Sequence, residues 1–170
     1  MAPIWRIPLT SWGHFIEGEI AGGGHLPLWP VLASGALIVA GAVDAVCMLI
    51  PDHVTLPGII AGLSLAALDG EMWTAFLGGI VGFVFFLVLF VLRPGALGFG
   101  DVKLMAFVGV ATRIEGLPVA LCAGVLLGGV YGIALLAGRL ARRQDPVPYG
   151  PSLALGGIIG LWCMTAGIVG

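Results

Sequence analysis

The chain has 170 residues, 59% of them hydrophobic and 9% charged, with a formal net charge of −2 and a mean hydropathy of +1.13. A soluble domain carries about 25% charged residues, so this chain has too little polar surface to cover itself in water, and the bilayer is its expected solvent. There is no basic block to recruit nucleic acid. The three cysteines, Cys47, Cys122 and Cys163, form no CxxC pair, which excludes a zinc ribbon or thioredoxin-like motif.

Residues 1–28 carry Arg6, Glu17 and Glu19 and lack the charged start and compact apolar stretch of a signal peptide. They read as an N-terminal loop or interfacial segment. Six transmembrane helices are predicted after it, at 29–50, 53–69, 72–92, 99–114, 116–138 and 151–169, making an all-α polytopic membrane protein with one membrane-embedded domain over 1–170. The fourth is short: the dozen or so residues from Asp101 to Arg113, at about 1.5 Å rise each, fall short of a core of about 30 Å. It must start earlier, meet a thinned bilayer or be shielded by its neighbours. Among 29 glycines, Gly78, Gly79 and Gly82, and Gly124 with Gly128, have the spacing of close helix packing. Cys122 and Cys163 read as small packing residues.

Lys and Arg set the orientation. Arg93, Lys103, Arg139, Arg142 and Arg143, five of the seven basic residues, fall on one side if the second, fourth and sixth helices run outward from the cytoplasm. Arg6, Arg113, the turn Asp69-Gly70-Glu71 and both termini then lie outside. Pro146 and Pro148 end any helix in the cytoplasmic loop 139–150.

This orientation brings two acids to one depth. Asp44 lies near the end of the first apolar run, where an ionised carboxylate costs about 2.5–3.5 kcal/mol on insertion scales unless it faces a cavity, a partner or the interface. Asp101 opens the fourth segment after Gly98-Phe99-Gly100, glycines that let a substrate or a neighbouring helix come close. Two carboxylates at matching depth on different helices are what an aspartic protease needs. They share one proton; one acts as base on a water while the other, protonated, polarises the scissile carbonyl. Lys103 either holds a carboxylate ionised or meets anionic headgroups. Asp52 reads as a cap for the second helix, and His53 as interfacial. His14 and His25 lie outside, and no HExxH or GxSxG is present. The proposed chemistry requires no metal and no organic cofactor.

Three blocks carry a resemblance. They are DAVCMLIPDHVTLP from Asp44 to Pro57, GFGDVKL from Gly98 to Leu104, and PYGPSLALG from Pro148 to Gly156. In this order they resemble the prepilin peptidase family of GXGD membrane aspartic proteases over roughly residues 30–160. The resemblance implies Asp44 and Asp101 as the catalytic pair, with Gly98, Gly100 and Lys103 shaping the site. Asp52 takes the place of the residue after the proline. It also implies a pilin-like precursor as partner, cut after a short basic leader at the cytoplasmic face of the inner membrane. Longer members add an N-terminal region with paired cysteines and methylate the product. Residues 1–30 hold no cysteine, so the resemblance is to a short form without that region.

Two other classes compete. A small proton- or cation-coupled transporter subunit would use Asp44 and Asp101 as ligands, but both acids sit near one face and no internal repeat is evident. A structural scaffold would leave the acids inert, and accounts for neither the GxGD string nor the matching depth.

Overall fold

The computed structural model describes residues 28–92, 97–138 and 149–169. The described residues form five helices and no strand: α1 (Leu28–Cys47), α2 (Asp52–Leu68), α3 (Met72–Leu92), α4 (Phe99–Ala137) and α5 (Gly150–Thr165). Most of the expected N-terminal segment, Arg93, and Arg139, Arg142 and Arg143 lie outside the described residues.

The third expected segment coincides with α3, an unbroken apolar run. The fourth and fifth are the two helical limbs of α4, separated by a kink at Arg113, whose φ of 54° and ψ of −177° are not helical. Three stretches are long and apolar enough to cross a membrane: Trp29–Cys47, Met72–Leu92 and Phe99–Leu135. Helices α2 and α5 are apolar and shorter. The outward surface is apolar, with Leu32, Ile60, Val91, Leu126 and Ile133 all exposed. Such a surface is stable against lipid tails and not against water, and the chain is a membrane protein.

The first limb of α4, residues 99–113, is the axis of the fold. Val102, Leu104, Met105, Phe107 and Val108 are all fully buried. At about 1.5 Å per residue this limb is only roughly 22 Å long; it starts two residues before Asp101 and is shielded by its neighbours. Glycine makes that shielding close. A Cβ on Gly109 would strike the carbonyl of Gly78, and one on Gly82 would sit 2.5 Å from the carbonyl of Met105, so α3 runs antiparallel against α4 backbone to backbone. Gly58 and Gly62 receive Phe107 and Val110, which sets α2 parallel to the same limb. The second limb runs antiparallel to α5, with Gly156 against Gly124 and Gly128 against Tyr149. Helix α1 completes the bundle against α5, its Gly41 lying on Ala154 and Pro151. The expected small-residue packing is therefore found at Gly78, Gly79, Gly82, Gly124 and Gly128. Cys122 is instead exposed, on the outward face of its limb.

Candidate active site

The chain directions bring the last turn of α1, the first turn of α2 and the first turn of α4 to one end. Arg113 lies at the other end, where its guanidinium donates to Asp69 at 3.2 Å. The expected grouping of Arg113 with the acidic turn is thus observed.

Helix α1 stops at Cys47, and Met48 turns the chain with a positive φ of 51°. The next residues fold back, and Ile50 is buried against Gly100, where an added Cβ would be 3.0 Å from that of Ile50. Gly100 therefore makes room for this loop. Pro51, with φ −72° and ψ 124°, then sets α2 off as its N-cap. The expected capping by Asp52 is not observed: Asp52 is the first residue of α2, and the N-cap carries no side-chain hydrogen bond. Its carboxylate accepts instead from Lys103 Nζ at 2.8 and 2.9 Å. Lys103 also lies over the Phe99 ring, 5.3 Å from its centroid.

Asp101 occupies the third position of α4. Its Oδ2 accepts from the backbone N–H of Gly98 at 3.0 Å, the reach-back half of a capping box. The residue is 6% exposed, and Oδ1 is buried with no hydrogen-bond partner among the described residues. An unsatisfied buried carboxylate oxygen is costly, and such atoms gather where a substrate or water completes the site. Asp44, also 6% exposed, is held through Oδ2 by the N–H of Gly150 at 2.9 Å.

Asp44 and Asp101 line one cavity of about 520 Å³, together with Asp52, His53, Gly98, Gly100 and Lys103. All the residues expected at the site thus meet in one place. Sequence reasoning missed the N–H of Gly150 as the clamp on Asp44, and Ile50 as the prop under Gly100. Among the described residues no three of His, Cys, Asp and Glu gather as a metal site requires. The arrangement offers two carboxylates, each with one oxygen fixed by a backbone N–H, lining one cavity.

The type IV leader peptidase family model matches residues 31–133. Among curated proteins, the chain is 36% identical over 150 residues to a prepilin leader peptidase/N-methyltransferase of Bacillus subtilis, covering 85% of this chain and 60% of that protein. A protein of the same name from Aeromonas salmonicida is 34% identical over 79% of this chain and 50% of its own length. Another from Pseudomonas aeruginosa is 34% identical over 77% of this chain and 48% of its own. The chain thus spans about half the length of the curated relatives it matches. No solved structure matches it significantly. With the family model covering most of the described helices and the acid-bearing segments inside the match, the chain belongs to the type IV leader peptidase family.

Proposed function

We propose that this chain is an aspartic endopeptidase that removes the leader from type IV pilin-like precursors, with Asp44 and Asp101 as the catalytic pair. The observation that carries the reading is that two buried acids from different helices face one cavity, with an oxygen of Asp101 left unsatisfied. One carboxylate takes a proton from a water as the water attacks the scissile carbonyl. The other, protonated, donates to the carbonyl oxygen. As the tetrahedral intermediate collapses, a proton passes to the leaving nitrogen and the C–N bond breaks. Gly98, Gly100 and Lys103 shape the mouth. No cofactor is needed.

The same reading extends to topology. A single domain crosses the inner membrane six times, as α1, α2, α3, the two limbs of α4, and α5, with the cavity at the cytoplasmic face. The precursor's apolar helix stays in the bilayer while its basic leader enters the cavity. The names of the relatives support a peptidase acting on prepilin, and the family match lends nothing to the transporter alternative.

The test is co-expression with a pilin-like precursor. Asp44→Asn and Asp101→Asn keep the side-chain shape and remove the acid, and each is expected to leave the precursor uncut at normal enzyme levels. Asp52→Asn is expected to cut. Normal cleavage by either Asp44→Asn or Asp101→Asn would refute the mechanism, and ion-flux measurements would then be the next step.

A further inference from the structure

Every buried helical glycine described above has a neighbour that explains it. Gly35 does not. It stands in the middle of α1, is exposed, and a Cβ there would meet nothing within 4 Å. Glycine weakens a helix interior, and no packing within the fold repays that cost. Gly35 instead opens the rim of an apolar groove of about 420 Å³ between α1 and α2, lined by Leu32, Gly35, Val39, Gly58, Ala61 and, as its floor, Phe107.

The groove adjoins the acid-lined cavity, and His53 lines both. At that junction the α2 backbone is incomplete. Pro57, inside the helix, has no N–H to give to the carbonyl of His53. Another apolar groove flanking α1, about 230 Å³ between α1 and α5, shares no lining residue with the cavity. On that side the N–H of Gly150 covers Asp44.

We propose that the α1–α2 groove seats the transmembrane helix of the precursor, with Gly35 admitting it at close range and the groove leading past His53 toward Asp44 and Asp101. Small residues are what let membrane helices approach closely. This inference rests on the peptidase reading given above, and it names the face of the enzyme that recognises the helix.

A Cβ at Gly35 meets nothing within 4 Å, so Gly35→Leu is expected to fold while its side chain occupies the groove. Gly129→Leu is its control, since Gly129 is equally open but lines none of these cavities. Two probes are used: a single-span pilin-like precursor, and a soluble peptide holding its cleavage site without the helix. Gly35→Leu is expected to lower kcat/KM for the precursor by at least about tenfold, mostly through KM, and to change peptide cleavage by less than about twofold. Gly129→Leu is expected to cut both probes as the wild type does. Equal losses on both probes, or no loss on the precursor, would overturn the proposal. A photoreactive benzoylphenylalanine replacing Leu32 is expected to crosslink the precursor. Crosslinking only from position 38, in the α1–α5 groove, or only to lipid from position 32, would also overturn it. A wild type that cuts neither probe while position 32 still captures the precursor would sink the peptidase reading and leave the groove standing.

Discussion

Asp44 on α1 is clamped by a residue far along the chain: the N–H of Gly150, at the start of α5, donates to its Oδ2 at 2.9 Å. The contact works only because residue 150 is glycine. A Cβ there would lie 2.7 Å from both Cβ and Cγ of Asp44 and closer still to Oδ2. Gly150→Ala is therefore expected to push the carboxylate out of place while leaving the helices formed. Displacing a catalytic group by about 1 Å can cost on the order of 10²-fold, so cleavage should fall by that order with helicity by circular dichroism unchanged. Retained cleavage would mean that Asp44 need not sit where the clamp holds it.

A second pair makes the opposite prediction. Lys103 and Asp52 meet at 2.8 Å, but their side chains are 28% and 51% exposed. Exposed pairs contribute about 0–1 kcal/mol and are screened by salt. Lys103→Gln should lower stability by less than about 1 kcal/mol, a difference that shrinks in about 1 M salt. Thermal melts in detergent at low and high salt check this. A large loss that salt does not affect would show that Lys103 acts through the aromatic ring of Phe99 or the cavity.

Much of this site was legible in the sequence because local pattern set it. The uncharged run of α3 gave its bounds, and the sides assigned to Lys and Arg put Asp44 and Asp101 at one end, where the described helices also have them. What was not legible depends on contacts between distant segments. No spacing rule tells that Gly100 yields to Ile50, that Asp52 turns from its own helix to Lys103, or that Gly150 holds Asp44. Asp52 misled because a helix-start acid is usually a cap, and here an opposite charge on α4 lay within reach. Cys122 misled because an apolar run does not say which face of a membrane helix meets lipid.

The α3–α4 contact sets a steep test of packing. Gly78 and Gly109 lie so close that a Cβ on either would strike the other's backbone. Backbone cannot rotate away as a side chain can, so Gly109→Ala should cost at least about 2–3 kcal/mol, at or above the upper end for overpacked cores. Gly129→Ala, into open space, should gain about 0.5–1 kcal/mol from helix propensity. Denaturation of both variants in one detergent gives the comparison. Equal stabilities would mean that the helices part readily at Gly78.

Met48 holds a strained backbone at the edge of the site. Its φ of 51° is the left-handed conformation that ends α1, with its N–H bonded to the carbonyl of Asp44 at 2.8 Å. For a residue with a Cβ this conformation costs roughly 1–2 kcal/mol. The side chain is 56% exposed, so little packing offsets the strain. Met48→Gly should therefore stabilise the protein by roughly 0.5–1 kcal/mol once the greater freedom of glycine in the unfolded chain is deducted. Met48→Val should destabilise it, because a β-branched residue tolerates a positive φ least. The expected melting order is Gly above Met above Val, with steps of about 2–4 °C per kcal/mol. A Met48→Gly variant that melts lower than the wild type would show that the methionine side chain, which lines the same cavity as Asp44 and Asp101, holds the turn in place by contacts stronger than its exposure suggests.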